Sequence, residues 1–121
     1  MRRPSRHRPE RLAALVQAAV ADSVATELKD PRVGFVTITA ARVAPDASSA
    51  TIHVSVMGSD DEKAAAMDGL NSARGFLRTR LARTLALRTA PELHFVLDRT
   101  LENAARIDQL LAEIKRDEPA S

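Results

Sequence analysis

"LNSARGFLRTRLARTL", Leu70 to Leu85, reads as helix from end to end except for the glycine at its centre. Gly75 costs a helix interior about 1 kcal/mol relative to alanine, and strong helix formers stand on both sides of it. A junction between two helices accounts for such a residue. Ala73-Arg74-Gly75 is too short for a loop, yet small enough to let two helices meet closely at a kink. Beyond the kink, Leu77, Leu81 and Leu85 recur at i, i+4 and i+8, the apolar edge of the second helix.

Working outward, Ser59 and Glu62 have capping-box spacing, which starts the first of the two helices near Asp60 and runs it to Ser72 with Ala64, Met67 and Leu70 inward. Two alternating runs precede it. "FVTITAARV" sets Val36, Ile38 and Ala40 against Thr37, Thr39 and Ala41, and "ATIHVSV" sets Ile52, Val54 and Val56 against Thr51, His53 and Ser55. "APDASS" between them is a short reversal, so the pair forms an antiparallel hairpin. Before the hairpin, Leu12, Leu15, Val16, Ala19, Val20 and Val24 make the stripe of an amphipathic helix from about Glu10 to Leu28, ended by the turn chemistry of "KDPRVG". After the kinked pair, Pro91 leads into a third strand, "ELHFVL". Thr100 then caps a last helix with the stripe Leu101, Ile107, Leu110, Leu111 and Ile114.

The order is α-β-β-α-kink-α-β plus a C-terminal helix. Two helices between the second and third strands form the right-handed crossover that a parallel pair requires. The expected fold is α+β: a three-stranded mixed sheet with helices on one face. Thr37, Thr39, Thr51, His53, Ser55 and His94 are left on the open face. Residues 1–8 read as a flexible basic arm, 9–116 as one domain and 117–121 as a frayed tail. A two-helix crossover of this plan is that of KH-type RNA-binding domains, whose GXXG loop lets the backbone approach the phosphates of a single strand. Here Ala73, Arg74 and Gly75 take the place of that loop.

Composition narrows the function classes. The 121 residues contain no cysteine, which excludes disulfides, thiolate metal sites and cysteine nucleophiles. No apolar run is long enough to span a membrane, and "MRRPSRHRPER" lacks the apolar segment of a secretory signal, so a cytoplasmic location is expected. Net charge is only +2, but the pI is about 9.7 and the positive charge is nearly all arginine, gathered in residues 2–11 and 74–88. Such clusters suit a polyanion partner. No Ser-His-Asp order, phosphate-cradling glycine loop or paired carboxylate motif is present, so the chain does not read as an enzyme. His53 and His94 lack a third ligand for zinc; no metal or cofactor is expected.

With these residues in view, "ELKDPRVG", "SARGFLRTRLARTLALRTAPELHFVLD" and "ARIDQLL" resemble the ribosome-binding factor A family, from about Arg6 to Ile114. The resemblance implies a type II KH-like fold in which an Ala-x-Gly kink replaces the GXXG loop. It also implies a non-enzymatic, monomeric factor that associates with free 30S small ribosomal subunits. Such a factor assists late assembly, including 16S rRNA 5′-end processing and growth in the cold, and leaves before translation. Its implied partners are the 30S subunit, 16S rRNA and an assembly GTPase. The basic extension after the last helix in some members is nearly absent here.

The candidate RNA-binding residues are Arg74, Phe76, Arg78, Arg80, Arg83 and Arg88 around the second helix of the kinked pair, Arg32 in the turn, and Arg6, Arg8 and Arg11 of the basic N-terminus, where Arg2 and Arg3 also lie. Phe76, Arg80 and Arg83 fall at i, i+4 and i+7, where an aromatic ring stacks a base and guanidinium groups neutralise phosphates. The residues leave a second reading open, in which Phe76 turns inward to fill core. Gly75 likewise serves packing, or aims the arginine-rich helix at RNA, or both. Two other functions fit the residues: a generic KH-type module for single-stranded RNA, and a protein-interaction domain whose charge is incidental.

Overall fold

Ser59 opens the helix that its spacing calls for. Its hydroxyl accepts from the Glu62 amide at 3.1 Å, and the Glu62 carboxylate accepts from the Ser59 amide at 2.9 Å. Two donors that a helix start leaves orphaned are thereby satisfied. The computed structural model describes residues 8–99 and 108–114. Helix α1 spans Arg8–Thr26; a single 3-10 turn, Pro31–Val33, leads to strands β1 (Val36–Val43) and β2 (Ser49–Val56). Helices α2 (Asp60–Ser72) and α3 (Arg74–Thr84) follow, then β3 (Glu92–Leu97). Residues 108–114 form a further helix, α4.

β2 lies at the centre of the sheet, antiparallel to β1 and parallel to β3. The architecture is the α+β, KH-like one that the crossover implies. A tight turn makes the hairpin, with the Ala47 amide donating to Ala44 O at 2.8 Å and Asp46 Oδ1 accepting from the Ser48 hydroxyl at 2.7 Å. β2 buries Ala50, Ile52, Val54 and Val56 against the helices and keeps Thr51, His53 and Ser55 half-buried on the other face. Val16, Val20 and Val24 of α1, Ala66 and Leu70 of α2, Leu77 and Leu81 of α3, and Leu93 of β3 complete the aliphatic core. Each fully buried Leu or Ile contributes about 1.5–3 kcal/mol.

Four expectations need correcting. β1 carries a bulge at Thr39: the register steps from Ile38↔Val54 to Ala40↔His53. The extra residue reverses the alternation, so Ala41 and Val43 face the core and Ala40 pairs with His53 on the open face. The Thr39 hydroxyl is shared between Asp98 Oδ2 at 3.0 Å and His53 O at 3.2 Å. α2 is rotated from its expected face. Lys63, Ala66, Gly69 and Leu70 are buried, Met67 only partly, and Ala64 is exposed. Leu15 of α1 stands half-exposed at the edge of the stripe. In α4 the expected stripe is uncovered, with Leu110, Leu111 and Ile114 at least half-exposed; Thr100, Leu101 and Ile107 lie outside the described residues.

The kink also differs from its expected cause. α2 and α3 meet at Ala73, whose amide is shared between Gly69 O and Leu70 O and whose carbonyl accepts the Leu77 amide at 2.9 Å. Gly75 is the second residue of α3, and a Cβ built there meets nothing within 4 Å beyond its own turn. Close packing is not what Gly75 provides. The crowded glycine is Gly69: its Cβ would stand 2.9 Å from Val33 Cγ1, 3.3 Å from Asp30 Oδ2 and 3.4 Å from Arg32 Cβ. There α2 presses against the Asp30–Val33 turn, where Asp30 caps by accepting the Arg32 amide at 2.9 Å.

Candidate nucleic-acid interface

From Gly69 to Pro91 the chain carries five arginines and no acid. α3 distributes four of them by angle. Leu77 and Leu81 are buried, so Arg78 falls at one margin of the helix, Arg80 at the other, and Phe76 and Arg83, two turns apart, on the outer face. Phe76 is 45% exposed and is not one of the buried core residues. It does not turn inward to fill core.

Arg78 ties the helix to the strand after it. Its Nε and Nη2 donate to Ala90 O at 3.1 and 2.9 Å, satisfying the carbonyl of a buried residue. Arg80 turns toward α1 instead of standing beside Phe76 and Arg83. Its Nη2 lies 2.7 Å from Glu27 Oε2, and its Nε is buried without a partner among the described residues. Arg32 is apart from the other arginines. Its Nε and Nη2 grip the Asp30 carboxylate, which Arg32's side chain and amide hold below the usual carboxylate range while Arg32 itself is raised by the same bond.

Beside the kink, Asn71, Arg74, Gly75 and Arg78 face Glu92 and Leu93 of β3 across a groove. No side chain stands on Gly75, and the space where one would project is clear among the described residues. Among the described residues, Arg74, Arg83 and Arg88 make no ion pair or hydrogen bond through their guanidinium groups. The structure thus brings Arg74, Gly75 and Arg78 together at the groove, with Phe76 and Arg83 on the adjoining outer face. Arg88 is exposed in the connection to β3. Arg11 is exposed on α1; Arg8 begins that helix, and Arg2, Arg3 and Arg6 lie outside the described residues. Asn71, Glu92 and Leu93 were not legible as site residues, since only the crossover brings β3 under the kink. On the open sheet face, His94 Nε2 is 4.0 Å from Glu92 Oε1, and no group of three metal-ligating side chains occurs among the described residues.

The family model described as "Ribosome-binding factor A" matches residues 8–111. The chain belongs to the ribosome-binding factor A family. It is 45% identical over 112 residues to the Desulforamulus reducens ribosome-binding factor A, an alignment covering 93% of each chain. Its fold is similar to the crystal structure of ribosome-binding factor A from Thermus thermophilus, with a TM-score of 0.66, 28% identity, and coverage of 74% of this chain and 93% of that one. A Thermus thermophilus ribosome-binding factor A homology model, fitted into the cryo-EM map of a 30S complex, is similar at a TM-score of 0.61 and 29% identity, covering 72% of this chain and 91% of that one. Among the described residues, no helix is long and apolar enough to cross a membrane.

Proposed function

We propose that the protein is a cytoplasmic, monomeric, non-enzymatic factor that binds 16S rRNA in free, maturing 30S subunits through the groove at Gly75 and the outer face of α3. The observation that carries the reading is the acid-free run of arginines around a glycine with open space above it. Backbone amides and Arg74 approach phosphates in the groove, while Phe76 stacks and Arg83 and Arg88 neutralise charge beside it. The Thermus thermophilus relative fitted into a 30S complex supports the choice of particle. Arg78 and Arg80 serve chiefly to hold α3 in place, and Arg32 to hold its own turn.

A binder acts on a large RNA by preferring one of its conformations, so its effect on assembly equals its differential affinity for the two states. Preference for an immature arrangement links the protein to late assembly, to 16S rRNA 5′-end processing and, through slow escape of misfolded RNA helices, to growth in the cold. An assembly GTPase that remodels the same arrangement would release it. Sedimentation of a tagged copy at moderate salt tests the reading. The protein should travel with free small subunits and be depleted from translating ribosomes; equal occupancy of both, or of neither, contradicts it.

A further inference from the structure

Two of the most exposed apolar side chains stand together at the opposite end of the helical pair from the arginines. Phe35 is 70% exposed and Met57 75% exposed, and they are joined across the mouth of the hairpin by the Met57 amide donating to Phe35 O at 3.4 Å. With Pro31, Val56 and Ala65 they line a cleft whose polar margin is Arg32 and Glu62. Gly58, at φ 129, turns the chain directly from Met57 into the first turn of α2, which carries Asp60, Asp61 and Glu62. Arg32 adds no net charge there because Asp30 grips it. Between Met57 and Asp68 the chain has four acids and one cation, Lys63, which is buried. Arg99 reaches Asp60 at 3.9 Å. The sign is opposite to that of α3, so a polyanion is driven from this cleft while a polycation is drawn to it.

We infer that the Phe35–Met57 cleft docks a basic protein segment bearing an apolar anchor side chain, on the same small subunit whose RNA meets α3. The inference rests on the small-subunit reading above. The anchor enters between Phe35 and Met57, and its flanking lysines or arginines meet Asp60, Asp61 and Glu62. Separating protein contact from RNA contact by opposite ends of one domain fixes the orientation of the factor on its particle.

The test uses the full chain and purified free small subunits, with the photo-crosslinking residue p-benzoylphenylalanine in place of Met57 in one preparation and of Arg83 in another. Position 57 should crosslink to a lysine- or arginine-rich segment of a ribosomal protein, and position 83 to rRNA. The double variant Phe35→Ser with Asp61→Lys should bind subunits about tenfold more weakly while its melt falls only slightly, both positions being solvent-exposed and the new lysine opposing the dipole of α2. Crosslinking from position 57 to rRNA, to a second copy of the chain, or to nothing while position 83 still crosslinks overturns the inference and spares the RNA reading. Failure of the chain to co-sediment with subunits at all overturns the RNA reading and this one with it.

Discussion

Gly69 and Gly75 lie six residues apart on either side of the kink and do opposite things. Gly69 is buried, and a methyl group there would run into Val33 and crowd Asp30 and Arg32. Gly75 is exposed and has free space where a side chain would project. A helix interior gives up about 1 kcal/mol at Gly69, and the first turn of α3 up to that much at Gly75. At Gly69 that cost is offset by contact between α2 and the turn before β1. At Gly75 nothing among the described residues offsets it, which is why the kink is the place to look for a ligand.

The comparison breaks or holds first at Gly69. Gly69→Ala should destabilise the domain by about 1–3 kcal/mol through overpacking against Val33, despite alanine's better helix propensity, and Gly69→Val by more. Thermal melts check it; a Gly69→Ala variant as stable as the parent would mean that the turn yields. Next comes Arg78, whose loss should be felt as stability as well as binding. Arg78→Met keeps the aliphatic stem but orphans Ala90 O, at about 1–3 kcal/mol measurable by denaturant unfolding.

Acid distinguishes the two sides further. Asp30 is held below its ordinary 3.8 by Arg32, and Glu62 below its ordinary 4.5 by the Ser59 amide. Groups depressed in the folded state add stability above their unfolded values and lose it as pH falls through the folded ones. Stability should therefore decline below about pH 4, and Asp30→Asn should make that decline shallower in a pH series of melts. The smallest effect is expected at Gly75. Gly75→Ala should raise stability by up to about 1 kcal/mol, because propensity is gained and nothing is struck. A lower melting temperature would restore the packing role that the sequence suggested.

Local signals were legible in the sequence and tertiary ones were not. The Ser59/Glu62 box, the "APDASS" turn and the strand at Glu92–Leu97 depend on neighbours in the chain, and all three formed where their spacing placed them. The bulge at Thr39 carries no glycine or proline to mark it, and its hydroxyl finds Asp98 59 residues away. The rotation of α2 arises from the close approach at Gly69, which periodicity cannot register. Helical spacing grouped Arg80 with Phe76 and Arg83, but the partner that turns Arg80 aside, Glu27, lies in the turn just after α1. For the same reason the sequence located the arginine-rich helix correctly while misassigning which glycine packs.

The interface itself is tested most directly by measuring the affinity of Arg74→Ala/Arg83→Ala/Arg88→Ala protein for purified free small subunits across a salt series, beside its melting curve. These three arginines make no contact within the described fold through their charged groups, so the melt should not change. Binding should weaken, and the dependence of log affinity on log salt should flatten by about 0.7–0.9 for each phosphate that is no longer neutralised. Unchanged affinity and slope, with an unchanged melt, would remove the kink and the outer face of α3 from the site.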